Sequence, residues 1–340
     1  MSSLPKIGID IGSSAIKLVE LVPMSIGNKW RFVSAASMPT TSGVTVEGSN
    51  IPAVAAAIAG IVKEAGMRTR RAVVALPEEQ VSSHVIELPL LRDSEIAQAL
   101  EWQVEQYIPI PKEQATWSWE VVRKDEVSGG MEVLLVAASK NLVENYKKIV
   151  EQAGLELVAV ETELTATSRA MVGQSGPLTM IIDIGAKSTD LGIVRSGQLI
   201  ATRTIPTAGE AFSRAIESTL SLDPKQAEQY RNTYGFTAGQ LEGKLAAAMQ
   251  PVLAVLAGEV KKMTDFYVTK HPGEIIKSAV LSGGVAAMPN IVTSLSALLG
   301  VETIVGDPFA NLIMEEAQKQ AFANNGPFYG VAIGLAMREI

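Results

Sequence analysis

The 340-residue chain has no cysteine, which excludes disulfides, thiolate metal sites and cysteine nucleophiles. It has only two histidines, His84 and His271. Each reads as a surface or loop residue rather than as part of a metal cluster or a Ser-His-Asp triad. Positive charge is also short: 29 Lys and Arg stand against 36 Asp and Glu, a net charge of −7. That balance argues against a nucleic-acid footprint, which needs clustered cations. It leaves room for a small phosphate ligand, because backbone N–H groups can hold phosphate locally. The start, "MSSLPKIGID", lacks the basic and apolar regions of a signal peptide. No run of 18 or more apolar residues suits a membrane span; the most apolar helical stretch, "AAAMQPVLAVLA" (Ala246–Ala257), is short and holds Gln250 and Pro251. The expectation is a cytoplasmic globular chain with no direct membrane span and, from its length, two domains.

What is present begins with "IGIDIGSSAIKLVEL", Ile7 to Leu21. It reads as an apolar strand, a glycine-serine turn and a second apolar strand, with Asp10 inside the first. A buried carboxylate is costly unless something pairs with it. With "RFVSAASMP" (Arg31–Pro39) these strands form an antiparallel meander. A helix follows, with Ile51, Val54, Ile58, Ile61, Val62 and Ala65 at helical spacing, and then a buried strand, "RRAVVALP" (Arg70–Pro77). The unit returns downstream. "MIIDIGAKSTDLGIV" (Met180–Val194) and "QLIATRTIP" (Gln198–Pro206) give a second meander, with Asp183 in the place of Asp10. Helices run to Lys270, then "SAVLSGG" (Ser278–Gly284) is a strand entering a glycine turn. An internal duplication with two facing α/β domains is predicted.

The segment from His84 to Leu155 breaks the repeat. It reads as strand, helix (Asp93–Tyr107, capped by Asp93 or Ser94), two strands joined across "VSGG", and a helix (Asn141–Gly154). This is a small subdomain inserted in the first domain, and it carries Trp102, Trp117 and Trp119, three of the four tryptophans. On the first helix Ile96, Leu100, Val104 and Tyr107 form one stripe, while Trp102 falls roughly opposite. Such a tryptophan either meets a partner or is covered by Trp117, Trp119 or the first domain.

The repeated hairpins explain Asp10. A tight Gly-Ser turn presents backbone N–H groups and hydroxyls that can hold phosphate oxygens. An aspartate just before it would then meet a hydrated Mg²⁺, which takes few carboxylates beside phosphate oxygens and water. One copy alone reads equally well as an ordinary hairpin. Two copies and the later "LSGG" turn favour a nucleoside triphosphate gripped between two domains.

These motifs resemble the actin-like ATPase superfamily, which includes actin, Hsp70 chaperones, sugar kinases and the division protein FtsA. Five motifs occur in order: the two hairpins, "VETELTATSRA" (Val160–Ala170) and "NNGPFYGVAIGLAM" as connecting helices, and "AVLSGGVAAMPNIVTSLSALLG" as the adenosine motif. The last helix also reads as simple small-residue packing. The resemblance implies an α/β, actin-like (ribonuclease H-like) two-domain ATPase fold with a small inserted α+β subdomain. Domain I would span residues 1–175 plus 325–340 with the insert at 84–155, and domain II 176–324 with a helical part at 207–275. It further implies ATP and Mg²⁺ as ligands. Gly12, Ser13, Ser14 and Lys17 would contact phosphates from the first loop, and Gly185, Lys187, Ser188 and Thr189 from the second. Asp10 and Asp183 would hold Mg²⁺ through water. Gly283 and Gly284 would lie against ribose and adenine, with Glu210, Glu259 and Lys262 as neighbours. Glu161 would orient the attacking water, Glu163 being the alternative.

Within the superfamily, "LEWQVEQYIPIP" (Leu100–Pro111), "MEVLLVAASKNLVENYKKIVEQAGL", "AEQYRNTYGF" and "EVKKMTDFY" resemble the PilM family of type IV pilus assembly proteins. That resemblance implies a cytoplasmic ATP-binding adaptor, peripheral to the inner membrane, that binds the N-terminal cytoplasmic tail of a PilN-like single-span protein. Pilus motor ATPases, the platform protein and a second copy of the chain are further implied partners; nucleic acid is not. Three alternatives weigh less. An FtsA-like anchor would need an amphipathic helix beyond "LAMREI", a sugar-type kinase would need an aspartate base and larger insertions, and a type II secretion component of GspL type would need a membrane span.

Overall fold

The computed structural model describes residues 4–24, 29–40, 46, 50–126, 129–173, 176–323 and 325–340. The chain opens with three antiparallel strands, β1 (Lys6–Ile11), β2 (Ala15–Pro23) and β3 (Trp30–Pro39), followed by α1 (Ile51–Glu64) and β4 (Arg71–Leu76). Next come β5 (Val81–Pro89), α2 (Asp93–Tyr107), β6 (Ala115–Asp125), β7 (Gly130–Ser139), α3 (Lys140–Gln152), β8 (Glu156–Thr162) and α4 (Glu163–Met171). The second half holds β9 (Thr179–Ile184), β10 (Thr189–Arg195), β11 (Gln198–Ile205), α5 (Gly209–Leu220), α6 (Pro224–Tyr234) and α7 (Lys244–Lys270). It continues through β12 (Ser278–Ser282), α8 (Ile291–Leu299), β13 (Glu302–Val305), β14 (Leu312–Ile313), α9 (Glu316–Phe322) and α10 (Gly330–Ala336).

Three sheets result: β14-β3-β2-β1-β4-β8, β11-β10-β9-β12-β13, and β5-β7-β6. The two larger sheets carry the duplication. In each, an antiparallel hairpin neighbours a parallel strand that enters through a helix: β4 beside β1, and β12 beside β9. Each hairpin closes with the same bond, Gly12 N–H to Ala15 O and Gly185 N–H to Ser188 O, both 3.0 Å. The registers also match, with Asp10 opposite Lys17 and Asp183 opposite Asp190.

Helices α4 and α10 pack together at the join of the two halves, and α10 lies on β1, β2 and β4. The approach is close enough that a Cβ on Gly334 would collide with the Ala166 backbone. Around this crossing Glu161 is bound by both Arg169 and Arg338, and Arg169 Nη1 also donates to Gly334 O at 2.7 Å.

The insert is built on β-alternation. Val133 and Leu135 of β7 face α2 with its buried Ile96, Leu100 and Val104. Leu134 and Val136 point the other way and join the core of the second large sheet, against β11. The helix grouped with the insert from sequence, α3, packs instead on α1 through Leu142, Tyr146, Ile149 and Val150. Helix α2 starts at Asp93, but its N-cap is Arg92, whose N–H donates to Glu95 Oε2 at 2.9 Å. The expected turn at Val127–Gly130 and the domain boundary at Ser175 lie partly or wholly outside the described residues.

One helical stretch, 240–270, is long and apolar enough to pass as a membrane span by length and composition. Its Leu245, Met249, Leu253, Leu256, Val260 and Met263 are buried in the core of the second half, against α5 and α8. It is the core helix of that half.

Candidate functional site

The hairpin turns face each other across a cleft of about 860 Å³, within the range of small-molecule sites. Each turn is held from behind. Thr40, just past β3, donates its Oγ1 to Gly12 O (2.9 Å) and its N–H to Ser14 O (2.9 Å). The first N–H groups of α5 do the same for the second turn, Gly209 to Gly185 O (3.1 Å) and Glu210 to Ala186 O (2.9 Å). With these carbonyls occupied, Ser13, Ser14, Lys187 and Ser188 line the cleft. Gly283, at φ +83°, closes its rim; a Cβ there would strike the Ile184 carbonyl and press on the Asp183 carboxylate.

The two hairpins differ in charge. In the first, Lys17 Nζ binds Asp10 Oδ2 at 2.8 Å. Burial alone would lower the lysine pKa, but Asp10, Asp183 and Glu163 outweigh it and leave it raised. In the second hairpin the lysine's place is taken by Asp190, so two carboxyls stand directly opposite, an unfavourable pairing. Burial pushes Asp190 up to about 7, with the Thr204 hydroxyl, bonded at 2.6 Å, offsetting part of it. Burial likewise raises Asp183 to about 6, less what the Ser282 hydroxyl and Lys17 offset. Glu163 is raised well above its ordinary value by burial and then by Asp10 and Asp190. Asp10, Glu163, Asp183 and Asp190 therefore line the cleft as one carboxyl cluster, with buried Glu78 behind it, and among the described residues only Lys17 makes an ion pair with them. Among the described residues no three carboxyls converge on one metal position, so a divalent cation beside this surplus negative charge would be held through its water shell, as Mg²⁺ commonly is, and the glycine-serine turns beside it fit phosphates.

Of the residues singled out from sequence, Asp10, Gly12, Ser13, Ser14, Lys17, Asp183, Gly185, Lys187, Ser188, Glu210, Gly283 and Gly284 all line the cleft. Thr189 does not: it is buried, its hydroxyl donating to Thr207 O at 2.7 Å. Glu259 and Lys262 pair with each other at 2.7 Å on α7, and Glu259 also binds Arg203; neither lines the cleft. Glu161 is held in the α4–α10 crossing by its two arginines, and the carboxyl in the cleft is that of Glu163. Trp102 is 81 % exposed on α2. Asp190 and Arg231 are cleft residues that sequence reasoning missed. The signal for Asp190 was present, since Asp10-Lys17 and Asp183-Asp190 share one seven-residue offset.

Two halves of like topology, each sending a glycine-serine hairpin with its aspartate into one cleft, define an actin-like ATPase fold. Solved structures share it. EutJ, an ethanolamine utilization protein of Carboxydothermus hydrogenoformans, superposes with a TM-score of 0.61 at 18 % identity, covering 99 % of this chain and 90 % of that one. MreB 5 of Spiroplasma citri, bound to AMPPNP, gives 0.56 at 13 % identity over 98 % and 95 %. In sequence the chain is 26 % identical to the cell division protein FtsA of Bacillus subtilis over 52 % of this chain and 45 % of that one, so it spans about half that relative's length. FtsA of Pseudomonas aeruginosa is 24 % identical over 97 % and 88 %. More specifically, residues 8–340 match the sequence profile of the type IV pilus assembly protein PilM, and the chain belongs to that family. A solved PilM-PilN type IV pilus biogenesis complex contains a chain 27 % identical, with a TM-score of 0.83 over 98 % of both chains.

Proposed function

We propose that this protein is a Mg-ATP-binding adaptor of a type IV pilus inner-membrane assembly complex. It works in the cytoplasm and sits at the membrane by binding the N-terminal tail of a PilN-like single-span protein. Pilus motor ATPases and the platform protein are further candidate partners. The observation that carries the reading is the likeness, over 98 % of both chains, to a chain of a PilM-PilN complex. The charged cleft between the two hairpins supports the nucleotide part.

In this reading Ser13, Ser14 and Lys17 hold phosphate oxygens from one side, and Gly185, Lys187 and Ser188 from the other. Lys17 exchanges Asp10 for phosphate, which frees Asp10 to join Asp183 around a hydrated Mg²⁺. The cation neutralises phosphate and carboxylate charge together. Glu210, Gly283 and Gly284 lie where ribose and base would rest. Because both halves grip one ligand, Mg-ATP stabilises their closed arrangement by mass action. Trp102 is the candidate tail contact on the insert. Calorimetric titration with Mg-ATP tests the site. Asp10→Ala and Asp183→Ala should each weaken binding, by about 10- to 100-fold if they act as supports of a hydrated ion. Unchanged affinity in both variants would refute it.

A slow ATPase is a second reading, favoured by the raised carboxyls Glu163 and Asp190 in the cleft. Asp190, raised to about 7, is suited to accept a proton from water near neutral pH, and Glu163 beside it in the cleft is suited to orient that water. Phosphate release that persists through repurification and disappears in Glu163→Gln, with Mg-ATP binding retained, would establish it.

A further inference from the structure

Glu78 is buried, yet it does not line the cleft. It opens the short turn Glu78–Gln80 that joins β4 of the first sheet to β5 of the insert. Its Oε1 accepts the N–H of Leu164, in the first turn of α4, at 2.9 Å. Its own N–H donates to Glu163 Oε2 at 3.3 Å. The turn and the helix start thus clasp each other, with the cleft carboxyl of Glu163 held between them. A buried acid is costly, and the neighbouring Glu79 and Gln80 are exposed to solvent.

The insert is also tied to the opposite wall of the cleft. Gln198 Nε2 at the start of β11 donates to Glu120 Oε1 (3.0 Å) and Val121 O (3.1 Å) of β6. Arg195 of β10 lies 3.5 Å from Glu132 of β7. The β10–β11 ladder that makes these contacts also carries the bonded pair Asp190–Thr204. The insert therefore touches both hairpin-bearing halves, one through the Glu78 turn and the other through β11. A ligand that draws the halves together changes the geometry of both attachments.

We propose that Glu78 is a positioning residue that fixes Glu163 at the cleft and relays the cleft's occupancy to the insert's sheet. The inference rests on the cleft being a nucleotide site. It gives the adaptor a route by which bound nucleotide adjusts the surface carrying Trp102.

The test uses the full chain, with Mg-ATP as the probe. Trp102, Trp117 and Trp119 lie in the insert, the fourth tryptophan, Trp30, is buried in β3, and none lines the cleft, so tryptophan emission recorded in a Trp30→Phe background reports on the insert. Amide exchange in β5 reports on its attachment. Calorimetry measures binding separately. In the wild type, Mg-ATP should shift the emission and slow β5 exchange by about fivefold or more, the low end of usual site-to-site coupling. Glu78→Gln keeps the acceptor for Leu164 and should keep the response. Glu78→Asp keeps the charge but shortens the reach, and Glu78→Ala removes the acceptor; both should bind Mg-ATP and lose the response. The Gln and Asp pair decides the matter if Glu78→Ala does not fold. Binding heat with a silent insert in the wild type would overturn the relay alone, as would a full response in Glu78→Asp. No binding heat in the wild type would overturn the nucleotide reading, and the relay with it.

Discussion

Asp190→Asn should stabilise the nucleotide-free protein, although Asp190 is a cleft residue. Asp190 stands opposite Asp183 and is raised from the usual 3.8 to about 7. The folded state thus holds this proton roughly three pKa units more tightly than the unfolded chain, at about 1.4 kcal/mol per unit. Water in the cleft screens part of this, so about 2–4 kcal/mol is the working range. The sign follows from proton linkage. Below about pH 4 both states are protonated and the carboxyl costs nothing. Between about 4 and 7 the unfolded chain alone releases its proton, and stability falls as pH rises. Above about 7 the full cost is present. Asparagine abolishes the titration and keeps an oxygen for the Thr204 hydroxyl. For a chain of this size the gain corresponds to a melting temperature about 3–6 °C higher at pH 8, shrinking to nothing near pH 4. Differential scanning fluorimetry without nucleotide at both pH values measures it. No gain at pH 8, or an equal gain at pH 4, would refute the electrostatic reasoning.

Three other substitutions separate structure from site. Glu161→Ala leaves Arg169 and Arg338 without their carboxylate; because both arginines reach solvent, the loss should fall at the lower end of the about 3–5 kcal/mol typical of broken buried pairs, measured by urea unfolding, with Mg-ATP affinity unchanged. Gly334→Ala drives a methyl into the Ala166 backbone and should cost about 1–3 kcal/mol as overpacking does, read as a lowered melting temperature. Trp102→Ala should leave stability within about 0.5 kcal/mol, as surface changes do, while weakening binding of a labelled PilN-like tail by about tenfold or more, as loss of an aromatic anchor does.

The duplicated hairpins were legible because alternation and turn chemistry are local. "DIGSS" and "DIGAKS" carry their glycine, their donors and their aspartate within a few residues. Other features depended on distant partners. Glu161 and Glu163 are two residues apart across a strand–helix junction, and sequence does not fix such a boundary that closely. What separates their roles is Arg338, 177 positions away from Glu161, together with the N-cap bond of Thr162 to Thr165 that makes Glu163 the first residue of α4. Glu259 and Lys262 lie on α7, no residue of which lines the cleft, and only the packing of α7 against α5 and α8 shows this. The apolar stripe of α3 fits any apolar surface, and only the fold shows that it lies on α1 rather than in the insert. The α2 stripe held, with Trp102 opposite it, because a single helix and a single period decide that geometry.

The most direct test of the adaptor reading is an anisotropy titration of the full chain with a fluorescent peptide. The peptide carries the N-terminal cytoplasmic tail of a PilN-like single-span protein, and the titration is run with and without Mg-ATP. Saturable binding that strengthens with Mg-ATP is the expected result, and the ratio of the two affinities gives the coupling between the sites. Absence of binding in both states would contradict the adaptor role and leave nucleotide chemistry in the cleft as the function to pursue.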